Sequence, residues 1–286
     1  MTEKYTFIEN DESLLILCEQ LSDSAWLAVD TEFERVSTYY PELCLVQISN
    51  GTVHAVIDPI VINDLTPLYD LLYKESITKV LHSAHQDLEL FFNIKGSVFT
   101  PLFDTQLAAP LFDYAQGIGY GNLVKEVLDI ELDKGHARTN WKKRPLTKEQ
   151  LRYAADDAIY LGKVYEVFLE KIKDVENLHD FNGQIERLLK PETYQPDPSN
   201  MWKKIFSAKR MKGRQLEIVK ELAAWREITA RERNRPRKWI LDNHAIIEMA
   251  KLLPETKSDF LQIEKVSEKM VNRHGDALLK IIHDEK

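Results

Sequence analysis

Long apolar runs are missing from this chain of 286 residues. None approaches the roughly 18 residues that span a bilayer, and the opening MTEKYTFIENDE is too acidic and polar for a signal peptide. A cytoplasmic protein with no membrane contact is therefore expected. Cysteine is scarce as well. Cys18 and Cys44 stand alone without CxxC spacing, so neither a zinc site nor a disulfide framework is foreseen, and both thiols read as core fillers. No GxxxxGK[ST] occurs, which speaks against a helicase. GIGYGNL, Gly117 to Leu123, has a GxGxG spacing that fits neither a dinucleotide fingerprint nor a phosphate loop, and reads as a flexible lead-in to a helix. No nucleotide cofactor is expected.

What is present is ordinary globular material, 44% hydrophobic and 29% charged residues, enough for about two domains with their own cores. The net charge of −8 hides an asymmetry: residues 201 to 286 carry 20 Lys and Arg against 13 Asp and Glu, so the excess negative charge lies in residues 1 to 200. An acidic body with a basic appendage suits a metal-dependent enzyme with a nucleic-acid-docking tail better than a binder of anionic small molecules.

Residues 27 to 33, 43 to 49 and 52 to 57 read as strands, the last two joined by Asn50-Gly51, a pair suited to the positive φ values of a type I′ hairpin turn. Helical patterns follow over Leu65 to Tyr73, then a short strand at Lys79 to His82, then helices near Ala84 to Phe92, Asp104 to Phe112, Gly121 to Leu128 and Lys148 to Lys171. Strands first and mostly helices later predict an α/β fold with a mixed sheet covered by helices. KPETYQPDPSN, Lys190 to Asn200, has three prolines and little apolar content, as linkers do. Division into domains 1–195 and 205–286 is expected. Three helical patterns, around Leu216 to Trp225, Ile246 to Leu253 and Lys269 to Ile282, make the second domain all-α.

In LAVDTEFER, Leu27 to Arg35, side chains alternate across the strand, so Asp30 and Glu32 share one face about 6.6 Å apart at their Cα atoms. Two carboxylates are costly to bury unpaired; that face is either open to water or holds something positive. A bare DxE is most often a solvated acidic edge. Asp87, in the first turn of a helix in VLHSAHQDLELFF, and Tyr153 and Asp157, four apart on a helix in LRYAADDAIYL, shift the balance.

Taken together, DTE in a first strand, an Asp in HSAxxDL and YxxxD on a late helix resemble the DEDD exonucleases of the tyrosine subtype. GHARTNWKKRPLTKEQLRYAADDAIYL, Gly135 to Leu161, with its W-x-x-RPLT lead-in, is similar to ribonuclease D and the related exosome nuclease. WREITARERNRPRKWILDNHAIIEMAKLLPET resembles the HRDC domain that follows the exonuclease domain in that family; many bacterial members carry a second copy, and this sequence holds one. The resemblance implies a ribonuclease-H-like exonuclease fold followed by an all-α HRDC domain. It implies a 3′–5′ exoribonuclease that releases nucleoside 5′-monophosphates and trims tRNA precursors and other small structured RNAs. Phosphodiester hydrolysis needs charge neutralisation at the attacking and leaving oxygens, which two divalent cations about 3.5 to 4 Å apart supply, and hard oxygen ligands suit Mg²⁺ or Mn²⁺. By family likeness Asp30 would bridge both cations, Glu32 and Asp157 would ligate the one on the nucleophile side, Asp87 would support the second, and Tyr153 would orient the attacking water. A monomer is expected. A proofreading-type DNA 3′ exonuclease uses the same five residues, and a non-catalytic RNA-binding module is the reading from another class.

Some assignments stay open on sequence alone. Asp156 and Glu89 neighbour the assigned acids, and register cannot exclude them; His82, His85 and His136 suit polar loop or capping roles, with substrate contact as the sharper reading. In HARTNWKKRPL, Arg138, Lys142, Lys143 and Arg144 are candidate RNA contacts around Trp141, itself read as core; Lys134 is a weaker one. Between Lys203 and Lys238 lie 13 basic residues and four acidic ones, interleaved with Trp202, Phe206 and Trp225. That imbalance favours RNA docking, with Arg235 and Arg237 as candidates and Trp225 as core.

Overall fold

The computed structural model describes residues 3–133, 135–136 and 139–284. The chain forms two compact units, one holding the residues up to Glu34 together with Pro41–Tyr194, the other holding Arg35–Tyr40 and the chain from Gln195 onward. The second unit thus takes a six-residue segment from the middle of the first, which a linear division of the sequence does not provide for.

The first unit runs β1 (Thr6–Ile8), α1 (Asp11–Leu21), β2 (Trp26–Glu34), β3 (Glu42–Ser49), β4 (His54–Ile57), α2 (Thr66–Leu72), β5 (Thr78–Leu81), α3 (His85–Lys95), β6 (Leu102–Asp104), α4 (Thr105–Ala108), α5 (Tyr120–Leu128), α6 (Lys148–Lys171) and α7 (His179–Leu188). The sheet order is β1-β4-β3-β2-β5-β6. β3 is antiparallel to both β2 and β4, and the other pairs are parallel, so the sheet is mixed as expected. Leu27, Val29, Val46 and Ile48 bury one face of the sheet under the main helical core. α6 covers the other, packing Ala154, Ala155 and Ile159 with Leu45, Val56 and Trp141. Gly162 makes that close approach possible, because a Cβ there would lie 3.0 Å from the Trp26 ring.

The β3–β4 connection differs from the expected type I′ turn. Only Gly51 has positive φ, at 90°, and Ser49 pairs with His54 across a four-residue loop. The Asn50 side chain shapes it, its Oδ1 accepting from the Thr52 and Val53 amides at 3.1 and 2.8 Å. An Asn side chain that mimics a backbone turn removes the need for positive φ at Asn50 itself.

The second unit is helical: α8 (Gly213–Glu232), α9 (Arg237–Ile240), α10 (Asn243–Leu252) and α11 (Glu268–His283), preceded by 3₁₀ turns at Pro198–Lys204 and Phe206–Arg210. Leu222, Ile246, Met249, Phe260 and Leu278 form its core. Trp225 is only partly buried, at the edge of that core. Among the described residues no helix is long and apolar enough to cross a membrane.

Candidate active site

The site grows from the end of β2. Period-two alternation turns Asp30 and Glu32 toward α6, and their cross-strand partners on β3 are Gln47 and Leu45. The register between β2 and β3 shifts after Glu32, so that Phe33 pairs with Leu43 and Cys44 becomes the extra residue. A bulge of this kind re-aims the strand beside a site. α6 starts from a capping box, with the Gln150 amide on the Thr147 hydroxyl at 3.2 Å and the Thr147 amide on Gln150 Oε1 at 2.8 Å. That start sets the rotation of the helix, which carries Tyr153 and Asp157 to β2.

Asp30, Glu32 and Asp157 can each offer a carboxylate oxygen such that all three lie within 4.8 Å of one another. With Thr31, His82, Tyr120, Tyr153 and Leu161 they line a pocket of about 230 Å³. Asp87 stands beside this trio. Its Oδ1 accepts from the Thr31 hydroxyl at 2.5 Å, so Thr31, whose side chain alternation sends into the core, reaches the site from the opposite face of the strand. Asp156 is drawn away from the cluster by Arg152, whose Nε donates to it at 2.8 Å.

Burial is the chief cause of every carboxyl shift here. It and the charges of Asp157, Asp87 and Glu32 hold Asp30 well above the ordinary carboxylate range. Glu32 is pushed up to about 9 by burial and by Asp157 and Asp87. Asp157 rises to about 7 through burial and Asp156, with Tyr153 beside it working against the rise. Asp87 rises to about 6 through burial, opposed by the Thr31 hydrogen bond. Tyr153 is pushed upward by burial and by the charges of Asp157, Glu32 and Asp30, so its hydroxyl stays protonated. Crowded acids with hard oxygen donors fit a divalent cation, which would cancel the repulsion.

Several supports were not foreseen. Asp104, 1% exposed, accepts from the Ser83 and Ala84 amides at 3.1 and 2.8 Å and from Gln106 at 2.8 Å, fixing the turn that leads into α3 and Asp87. His82, expected in a polar loop or capping role, has its Nδ1 3.0 Å from the Thr105 hydroxyl. The Tyr120 hydroxyl donates to the Asp157 carbonyl at 2.5 Å. Aspartate at a strand end before a helix is a readable capping signal for Asp104; nothing local marks Tyr120. Trp141 is buried, and its ring lies 6.1 Å from that of Tyr153, with His136 at 5.8 Å from the same ring. His85 is exposed beside Tyr194.

The candidate RNA contacts divide. Arg144 grips Asp58, a carboxylate only 1% exposed, through Nε at 2.5 Å and Nη2 at 2.7 Å. Its Nη2 also donates to the carbonyl of the bulged Cys44 at 2.9 Å, so this arginine holds the bulge instead of waiting for a phosphate. Arg144→Met should cost about 3–5 kcal/mol in urea unfolding of the first unit, since Asp58 would be left buried and unpaired. Lys142 pairs with Glu42, while Lys143 is exposed. Arg237 is committed to Glu227 and Tyr39, and Arg235 Nη1 donates to the Ser37 carbonyl at 3.2 Å. Arg138 and Lys134 lie outside the described residues.

Comparison with known proteins identifies the family of both units. The 3′–5′ exonuclease family matches residues 5–173 and the HRDC domain residues 215–282. Ribonuclease D of Pseudomonas paraeruginosa is 40% identical over 279 residues, covering 96% of this chain and 73% of that protein. The chain belongs to the ribonuclease D family. The crystal structure of Escherichia coli RNase D, described as an exoribonuclease involved in structured RNA processing, superposes with a TM-score of 0.88 at 33% identity, over 98% of this chain and 74% of that one. Brucella melitensis NrnC with bound Mg²⁺ matches 69% of this chain and 94% of its own at 26% identity and a TM-score of 0.55. This family member is a 3′–5′ exonuclease with an HRDC domain.

The raised carboxyl values fix a pH dependence for the metal-free protein. Groups whose folded pKa lies above the unfolded one, here 3.8 to 4.5, contribute stability that is present in acid and lost as pH rises toward about 9 for Glu32. A divalent cation must displace those protons. Mg²⁺ should therefore raise the melting temperature by several degrees near pH 8.5 and hardly at all near pH 5, and equal shifts at both would contradict the assigned trio.

Proposed function

We propose that the chain hydrolyses RNA from the 3′ end, releasing nucleoside 5′-monophosphates, at a site formed by Asp30, Glu32, Asp87, Tyr153 and Asp157. The observation that carries this reading is the convergence of three acids from β2 and α6 within 4.8 Å, beside a tyrosine held protonated. Two divalent cations, Mg²⁺ or Mn²⁺, would be held by Asp30, Glu32 and Asp157 with Asp87 in support, and would supply charge neutralisation at the phosphate and acidification of water.

The chain's own residues do the rest. Thr31 fixes the Asp87 carboxylate, and the Tyr120 hydroxyl fixes the backbone at Asp157. Tyr153, kept protonated, orients the attacking water by donating or accepting a hydrogen bond and is not a proton acceptor in the ground state. Tyr153→Phe should lower the hydrolysis rate by about 10²-fold while leaving metal-induced stabilisation intact; an unchanged rate would remove Tyr153 from the chemistry.

The family supports RNA over DNA as substrate. By extension from the Escherichia coli enzyme, structured RNAs with 3′ extensions, tRNA precursors among them, are the proposed substrates. Digestion of labelled tRNA precursor and of single-stranded DNA, each with Mg²⁺, Mn²⁺ or EDTA, tests this. RNA shortened only with metal supports it, and preferential shortening of DNA favours the proofreading-type reading.

A further inference from the structure

The second unit holds a groove that neither Arg235 nor Arg237 lines. It has a volume of about 540 Å³, within the range of small-ligand sites. Phe206, Met211 and Ile247 supply its apolar lining, and Arg210, Lys212 and Lys251 its cations. Phe206 is 71% exposed, so one edge of the groove presents an aromatic ring to solvent. Lys209 Nζ lies 5.9 Å from the ring centroid and the Arg210 guanidinium carbon 5.8 Å. Among the described residues no carboxylate lines the groove. Lys251 is held by Glu248 at 2.9 Å, whereas Lys209, Arg210 and Lys212 have no carboxylate within ion-pair distance among the described residues.

We propose that this groove is a stacking subsite for an unpaired nucleotide of RNA, with the base on the Phe206 ring and the phosphates against Arg210 and Lys212. An exposed ring takes any base face, and cations without local counterions attract a polyanion, which together make a sequence-tolerant single-strand site. The excess of positive charge selects RNA over an apolar peptide. The assignment rests on RNA as the substrate, and it adds the turn at Phe206–Arg210 to the expected docking surface, of which Arg237 is committed to Glu227 and Tyr39.

The test uses the full chain in EDTA, with fluorescence anisotropy of a labelled oligouridylate and of the same oligomer with abasic riboses. Phe206→Ala should weaken binding of the base-bearing oligomer about five- to tenfold and erase its advantage over the abasic one, and Phe206→Trp should retain that advantage. Arg210→Ala should lower the slope of log affinity against log salt by about one. If Phe206→Ala, melting like wild type, binds both oligomers as wild type does, the subsite is overturned. Binding of anionic phospholipid vesicles without binding of oligouridylate overturns it too. Digestion of the same oligouridylate by the wild-type chain with Mg²⁺ is scored separately, so failure of the groove is distinguished from failure of the exonuclease reading.

Discussion

Replacing Asp30 by Asn is expected to lower RNA hydrolysis by at least about 10³-fold while raising the melting temperature in EDTA by a few degrees. The two effects have one cause. Asp30 faces Asp157, Glu32 and Asp87, and burial among those charges makes its ionised form unfavourable in the metal-free fold. Asparagine keeps the volume, so no cavity opens, and it is neutral at every pH, so folding above about pH 5 no longer has to protonate this carboxyl or bury its charge. It also removes one of the three carboxylates that could hold a cation, so the gain in stability and the loss of activity arrive together. Activity measured on labelled oligoribonucleotide and melting followed by circular dichroism give both numbers. A variant that keeps its activity, or that melts well below wild type, would contradict the assignment of Asp30.

Glu227→Gln should destabilise the second unit by about 3–5 kcal/mol. Glu227 is 1% exposed and accepts from the Tyr39 hydroxyl at 2.5 Å, from Arg231 Nη2 at 3.0 Å and from Arg237 Nη2 at 2.8 Å. Burial alone would raise its pKa, but the hydrogen bonds of Arg237 and Tyr39 and the charges of Arg237 and Arg231 outweigh burial and hold it at about 2. The folded value is depressed, so the contribution is present above the unfolded value of 4.5 and is lost as pH falls toward about 2. Asn234 completes the arrangement, its Oδ1 accepting the Tyr39 and Tyr40 amides at 3.0 Å each. Urea unfolding read by fluorescence of Trp225, which packs on this cluster, should show the loss at pH 7 and little of it near pH 2.

The central acids were legible because their signals are local. Strand alternation puts Asp30 and Glu32 on one face, and a four-residue helical step puts Tyr153 with Asp157. Register leaves Asp156 and Asp157 open; Arg152, one turn before Asp156, pairs with Asp156, while Asp157 joins Asp30 and Glu32. Alternation turns Thr31 toward the core, where it is 7% exposed, yet its hydroxyl donates to Asp87 on a helix 56 residues on. The same distance in sequence hid the fates of the arginines. Asp58 lies 86 residues from Arg144 and Tyr39 198 from Arg237, and no window of periodicity connects them. Lys79 is a further case. It sits on β5, fully buried, with its ammonium donating to the carbonyls of Lys74, Ile77 and Thr100 at 2.5 to 2.8 Å, where a strand pattern alone shows only a charged residue in an apolar run.

Digestion of a 5′-labelled oligoribonucleotide by the wild-type chain, in Mg²⁺ and in EDTA, tests the account most directly. The expected result is a ladder of 5′-labelled products shortening from the 3′ end with release of nucleoside 5′-monophosphates, present with Mg²⁺ and absent with EDTA. Internal cleavage, removal of nucleotides from the 5′ end, or an unchanged ladder in EDTA would contradict it.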